Sequence, residues 1–157
     1  MRDVQRDPVR WGVSISVASL LRDVQSLNHG LPTIASEMCS SAADLGIRLA
    51  RERSSGPFSS ARLASMDYPF AKRHGAPLLD PSIVNSQSGH FRAKWHAVRL
   101  GMGAQIVNDA QYADWLKHGT EYAFARPIDE AIESDLSAKA KGELTPKFDR
   151  LVSLFLH

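Results

Sequence analysis

The sequence contains little cysteine and no long apolar run. Its single cysteine, Cys39, excludes an internal disulfide framework and leaves no set of thiolates for a zinc site. No stretch approaches the roughly 18 apolar residues that a membrane span needs. The first ten residues hold three arginines, two aspartates and a proline, unlike a signal peptide. We therefore expect no membrane partner and a reducing compartment such as a cytoplasm.

Motifs for catalysis and cofactor binding are also missing. The chain has no Gly-x-Ser-x-Gly nucleophile turn and no glycine-rich loop followed by Lys-Ser or Lys-Thr for phosphates. His90 and His96 have the same parity on one predicted strand, but no third ligand lies at a suitable spacing. We expect no enzyme activity, no metal and no cofactor.

The length of 157 residues and a hydrophobic fraction of 43% predict a single domain over residues 1–157 with one core. The net charge of +2 is unevenly distributed. Residues 46–107 hold nine basic residues against three acids, whereas residues 108–157 hold six against nine. The basic middle and the acidic end can meet head to tail between identical subunits of a ring, or can pair within one subunit.

The N-terminal third predicts a strand followed by two helices. Residues 1–10 are polar and are expected to fray. Residues 11–17 alternate like a short strand, and the apolar spacing over residues 20–27 marks a first helix. Pro32 opens a second helix, whose apolar stripe is Ile34, Met38, Ala42, Leu45 and Leu49. Its last turn carries Arg48, Arg51 and Arg53, which either cap a solvated helix end or contact a polyanion.

Residues 54–88 show no regular period, because prolines and glycines interrupt any element. A loop of this length is typically functional or disordered, and its many apolar side chains need a surface to cover. We interpret it as an extended arm that packs on a neighbouring subunit or partner, or alternatively as an internal lid. The segment is basic through Arg62, Lys72, Arg73 and His74.

A β-hairpin and two C-terminal helices are predicted to follow. Alternation from Phe91 to Val107, with a turn at residues 101–103, indicates the hairpin, and its outer face would carry Arg92, Lys94 and His96. Gly142 is expected to end one helix, and Thr145-Pro146 to start another within 143–157. This last helix docks on its own sheet or serves as an exported arm. The predicted fold is therefore α+β, with N-terminal helices, a small antiparallel sheet, C-terminal helices packed on it and the long arm between.

Residues 106–127 form the densest run of structural signals. Asn108-Asp109 indicates a turn, and the spacing of Tyr112, Trp115 and Leu116 indicates a short amphipathic helix. Gly119 can stop that helix in a left-handed conformation, and Pro127 suits the start of the next one. We expect a rigid corner that presents Asn108, Thr120 and Arg126 on its surface.

The corner also resembles a known family. The order Asn, Tyr-Ala, Gly-Thr and Ala-Arg-Pro before a C-terminal helix is similar to the tail-completion and virion-morphogenesis proteins of long-tailed bacteriophages. The upstream run Ser88 to Trp95 resembles the entry to that family's sheet, so the likeness covers roughly residues 86–136, about a third of the chain. In place of the family's apolar-acidic pair before Gly-Thr, this chain has Leu116-Lys117-His118. The matching residues are Asn108, Tyr112, Ala113, Gly119, Thr120, Ala125, Arg126 and Pro127.

The resemblance implies a structural virion protein of the phage neck, assembled in the host cytoplasm as a ring, typically sixfold. Such a ring joins or completes the tail at the head–tail interface, contacts the connector and tail-tube proteins, and surrounds the DNA. Arg126 then makes an interface ion pair or, alternatively, a local contact beside Pro127. Non-specific contacts to DNA would come from Arg62, Lys72, Arg73, Arg92 and Lys94. The competing interpretation is a free-standing nucleic-acid-binding or regulatory domain.

Overall fold

Two long helices and a three-stranded antiparallel sheet form an α+β fold, as the sequence predicted. The computed structural model describes residues 14–16, 30–56, 58, 60–66, 70–72, 80–85 and 88–155. The predicted helix over residues 20–27, the N-terminal residues 1–10 and Arg73 lie outside these ranges. The elements in chain order are β1 (Ser14–Ser16), α1 (Leu31–Arg53), α2 (Ser60–Ser65), α3 (His90–Ala93), β2 (Trp95–Leu100), β3 (Gly103–Asn108), α4 (Ala113–His118) and α5 (Ile128–Phe155).

Helix α1 is the centre of the core. It begins at Leu31 with Pro32 in its first turn, where the missing N–H costs nothing. One side of α1 packs on the sheet and another packs on α5. A helix that is covered on two sides needs small and large apolar residues around most of its surface. The predicted stripe is fully buried, and Ala35, Cys39, Ala43 and Ala50 widen it.

The sheet has the strand order β1-β3-β2. Residues 95–100 pair with residues 103–108 across a two-residue turn, so the predicted hairpin is confirmed. Ala104 and Ile106 of β3 are buried on the face toward α1, and Trp95 lies on the same face. The Trp95 indole N–H donates to the buried Ser54 hydroxyl at 2.7 Å, and that hydroxyl donates to the Ala50 carbonyl. This chain of bonds fixes the end of α1 against β2.

The hairpin begins later than the sequence pattern suggested. Residues 90–93 form a helical turn after Gly89, which has φ of 76°, and the Ala93 N–H donates to the Gly89 carbonyl. Phe91 and Trp95 are four apart, so a helical turn brings them to one side as strand alternation would. Their rings meet edge to face at 5.7 Å. The predicted strand face of Arg92, Lys94 and His96 therefore does not exist, since Arg92 is helical and Lys94 caps the turn.

The C-terminal region is one helix rather than two. Helix α5 runs from Ile128 through Gly142 and Pro146 to Phe155. Pro146 has no N–H for the Gly142 carbonyl, but both residues are exposed, so water can satisfy that carbonyl. Packing of Leu144, Phe148, Leu151 and Val152 against the core keeps the helix continuous. Helix α5 contacts α1, which lies between it and the sheet. Within the described ranges, no helix has the length and apolar character needed to cross a bilayer.

The 54–88 segment contains some regular structure, contrary to the sequence interpretation. Residues 60–65 form helix α2, and Leu63 packs with Phe70 in a small cluster flanked by Phe58 and Met66. Val84 joins the main core and pairs through its backbone with Arg53 and Gly56. The described parts of this segment thus contact their own chain.

Two ion pairs connect the basic middle of the chain to its acidic end within one subunit. Arg53 forms a fork with Asp135 at 2.8 and 2.9 Å and also donates to the Ser82 hydroxyl at 2.9 Å. Arg48 pairs with Glu143 on the same two helices. These contacts attach α5 to α1, so this part of the arginine group at the end of α1 serves intrachain pairing.

The Arg53–Asp135 pair predicts a pH dependence of stability. The hydrogen bonds from Arg53 lower the pKa of Asp135 below its ordinary value, although partial burial opposes this. Because the folded-state pKa lies below the unfolded one, the contribution is complete above about pH 4 and is lost as pH falls through the folded value. We expect Asp135→Asn to cost about 1 kcal/mol at neutral pH, with the cost shrinking at lower pH.

Urea denaturation of both proteins between about pH 3 and 7 measures this difference. Asp149→Asn is the matched control, because Asp149 is exposed on the same helix and forms no ion pair with any described residue. A constant difference across that pH range would contradict the expectation.

Candidate interface site

Asn108 fixes the first bend of the corner from inside. Its side-chain amide donates to the Phe91 carbonyl at 2.8 Å, and its carbonyl oxygen accepts from the Ala110 N–H at 2.9 Å. The residue is only 8% exposed. The expectation that Asn108 lies on the surface is therefore wrong, because both of its polar ends are needed to satisfy buried backbone groups where β3 ends.

Helix α4 faces the core with one side only. Tyr112 precedes it and packs on Phe91 at a ring distance of 5.8 Å, and Ala113 is buried beside it. Trp115 is 65% exposed, contrary to its predicted place on the apolar side. A helix of six residues buries a single narrow strip, and Leu116 occupies the position that Trp115 was expected to share.

Gly119 permits the second bend because it has no side chain. Its φ of 69° lies in the region that favours glycine, but its ψ of −174° is extended, so it is not the left-handed helical stop that was expected. A Cβ at this position would lie 2.7 Å from both the Ala123 oxygen and the Ala125 nitrogen. Only glycine allows the two backbone segments to approach this closely.

Thr120 closes the loop that follows. Its hydroxyl accepts from the N–H groups of Tyr122 and Ala123 at 3.1 and 3.0 Å, and its own N–H donates to the Ala123 carbonyl at 2.9 Å. The side chain therefore acts within the turn. The same loop exposes Tyr122, which is 73% accessible.

Residues 70–72 attach the loop to the rest of the chain. The Lys72 N–H donates to the Tyr122 carbonyl at 2.7 Å, and the Phe124 N–H donates to the Phe70 carbonyl at 2.9 Å. The Arg126 N–H donates to the Leu116 carbonyl at 2.7 Å, which brings the chain back beside α4. Backbone hydrogen bonds thus join residues 70–72, the loop at residues 122–126 and helix α4, and they hold the corner in one conformation.

The guanidinium of Arg126 lies within this corner, over the buried ring of Phe70. Its central carbon is 3.7 Å from the ring centroid, a cation–π geometry. Burial lowers the pKa of Arg126 to about 10, so the group still carries its charge at neutral pH. No aspartate or glutamate of the described chain pairs with it. Pro127 follows immediately and leads into α5, whose first turn carries Asp129 and Glu130 as predicted.

Asp129 already has a different partner. One of its carboxylate oxygens lies 2.5 Å from the Lys117 ammonium, and the other is buried without a hydrogen bond to any described residue. Asp129, the acid nearest in sequence to Arg126, is thus already paired with Lys117. The described residues thus place a partly desolvated cation at the corner and supply no carboxylate to pair with it.

The basic residues expected to face DNA are spread over several elements. Arg62 lies on α2, Lys72 lies beside Tyr122, and Lys94 caps α3; all three are exposed. Arg92 shares a shallow surface groove with Arg48 and Arg51 of α1. Arg51 and Arg92 have no ion-pair partner in the described part of the chain. The structure therefore brings together one small cationic cluster that the sequence did not predict, since it joins residues distant along the chain.

Phe70 was also missed as a site residue. In the sequence it is one of many apolar residues in an aperiodic segment, and nothing in the spacing connects it to Arg126. Across the described residues, no group of three His, Cys, Asp or Glu side chains could hold a metal ion. In comparisons with known proteins, no family model, curated protein or solved structure matches this chain.

The close approach at Gly119 predicts a large effect of one added methyl group. Gly119→Ala is expected to destabilise the fold by about 3 kcal/mol or more, because strain from the positive φ adds to two backbone clashes. Gly101→Ala is the matched control: Gly101 has φ of 61°, but nothing lies within 4 Å of the added Cβ. Thermal unfolding of both variants should show the larger loss at residue 119, and equal losses would contradict this account.

Proposed function

We propose that this chain is a structural virion protein of the neck of a long-tailed phage. In this proposal it forms a ring that joins or completes the tail at the head–tail interface and surrounds the DNA channel. It acts without catalysis, and its partners are other copies of itself, the head–tail connector and tail-tube proteins, and DNA held without sequence preference. The proposed ring is a hexamer, since the resemblance favours sixfold assembly.

The observation that carries the proposal is the Arg126 cation at the corner, which no described carboxylate pairs with. Partial burial of a guanidinium costs solvation free energy, and among the described residues the Phe70 ring offsets part of this cost. A carboxylate from a second subunit would restore the lost interaction, and a planar, permanently charged fork suits that bond. An unpaired buried charge in a monomer is therefore typical of a residue that meets its partner on assembly.

The corner combines residues that bond inward with residues that are exposed, and this combination also supports assembly. Asn108, Gly119 and Thr120 direct their bonding capacity inward and make the corner rigid. The same corner turns Trp115 and Tyr122 outward. Exposed aromatic side chains on a rigid support are typical anchors of protein interfaces, because little conformational entropy is lost when they are covered.

The cationic groove supports the second candidate, a nucleic-acid-binding or regulatory domain. Arg51 and Arg92 are available for phosphate contacts, and such contacts would carry no sequence information. Asp44 and Glu52 line the same groove and oppose this binding. The mixed charge favours the groove as a weak DNA contact within a ring over an autonomous DNA-binding site.

Native mass spectrometry across a concentration series tests the neck proposal. We expect a closed ring of about six subunits, formed by the purified chain or on addition of tail tubes. Binding of a duplex DNA probe to the monomer should be weak and should fall steeply with salt. A chain that stays monomeric with and without tail tubes and binds DNA tightly would overturn the proposal in favour of the second candidate.

Arg126→Met separates an interface role from a local one. Methionine keeps an unbranched apolar side chain over Phe70 but removes the charge, so the monomer should keep its stability or gain slightly. Assembly should weaken by at least tenfold, because the partner carboxylate loses its cation. The measurements are urea denaturation and the ring fraction in native mass spectra.

Lys72→Met is the matched control, since Lys72 is exposed next to the same corner and forms no ion pair with described residues. If Arg126→Met destabilised the monomer and left assembly unchanged, the arginine would have only its local role.

A further inference from the structure

Strand β2 is an outer strand of the described sheet. Among the described residues, the order β1-β3-β2 gives β2 a neighbour on one side only. The Asp109 N–H donates to the Lys94 carbonyl, which sets the alternation along the antiparallel pair. Because hydrogen-bonded and non-hydrogen-bonded pairs alternate from Lys94 onward, the backbone N–H and C=O groups point away from β3 at Trp95, Ala97 and Arg99. No described residue forms a backbone hydrogen bond with these groups.

The usual protection of an edge strand is weak here. Edge strands typically carry proline, a bulge or outward charges that prevent pairing with another chain. The one arginine of β2, Arg99, is held on the α1 face, where it donates to the Ser36 and Ser40 hydroxyls. On the opposite face Val98 and Leu100 are 40% and 50% exposed, and Met102 of the turn continues this apolar surface.

We infer that the β2 edge pairs with β1 of a second copy of this chain, so that the sheet continues from subunit to subunit. This inference rests on the proposed ring. A ring repeats one contact between two different surfaces, and β1 and β2, the outer strands of the described sheet, are such a pair. Strands β1 and β2 both run antiparallel to β3, so they are parallel to each other, and rotation about an axis along the strands brings them together in parallel.

The small area of this contact favours a ring over a dimer. Strand β1 has three residues, so pairing with it extends over only about 10 Å and covers less than the roughly 800 Å² per partner of a stable interface. A single contact would therefore dissociate readily. Ring closure gives every copy two contacts, and the exposed side chains of Val98, Leu100 and Met102 add apolar burial at each one.

Paired cysteines test the arrangement directly. Ser14 and Val98 both lie opposite Gln105, on either side of β3. Within one chain their Cα atoms are thus two strand spacings apart, about 9–10 Å, which is too far for a disulfide. In the inferred ring, β1 and β2 of adjacent copies are neighbours. The double variant Ser14→Cys with Val98→Cys, or Ser14→Cys with Leu100→Cys for a shifted register, should form cross-links only between chains.

Mild oxidation followed by a non-reducing gel is the readout. We expect a ladder of covalent oligomers that ends at the ring number, from at least one of the two double variants. The native Cys39 is buried in the core and should not contribute. The matched control is Ser14→Cys with Ser134→Cys, which keeps the first position and moves the second to an exposed site on α5; it should give no ladder.

Two results would overturn the inference. Dimers from Val98→Cys alone would show that β2 pairs with β2 of another copy about a twofold axis. Absence of a ladder from both double variants, under conditions where native mass spectra contain the ring, would remove the sheet contact while the neck proposal stands. Absence of any ring in those spectra is instead the failure of the neck proposal itself.

Discussion

Helix α1 is buried from two sides, and the rest of the fold depends on that constraint. The sheet covers one side and α5 covers another, so each layer is held through its contact with α1. Arg53 joins the layers at one end through Asp135 and Ser82, and the bond from Trp95 to Ser54 fixes β2 at the same end. These polar contacts lie where α1 ends, which is where its own backbone leaves carbonyl groups unpaired.

The corner after β3 is stable for a different reason. Its geometry depends on two positions where a single residue type supplies what the backbone needs. Asn108 offers a donor and an acceptor in one short side chain, and Gly119 allows a backbone approach that any Cβ would block. Rigidity obtained this way leaves the large side chains free. Trp115, Tyr122 and the guanidinium of Arg126 are therefore available for assembly, as the neck proposal requires.

The residues that carry the resemblance to phage proteins form the corner of the structure, but their positions there differ from the expected ones. Asn108, Thr120 and Arg126 were expected on the surface, whereas Asn108 is buried and Thr120 bonds within its turn. A motif that maintains a backbone shape constrains residues that never contact a partner. In the neck proposal a partner would meet Trp115 and Tyr122, which lie beside the motif and not in it.

Residue type and local spacing in the sequence were enough to determine some features of the structure. The stripe of α1, the turn of the hairpin, the positive φ of Gly119 and the acidic start of α5 follow from spacing and residue type alone. Tertiary packing decided the rest. It kept α5 continuous through Pro146, made a helical turn of residues 90–93 and placed Phe70 beneath Arg126. Each of these outcomes depends on burial against residues distant along the chain, and local propensity is too weak to oppose that free energy.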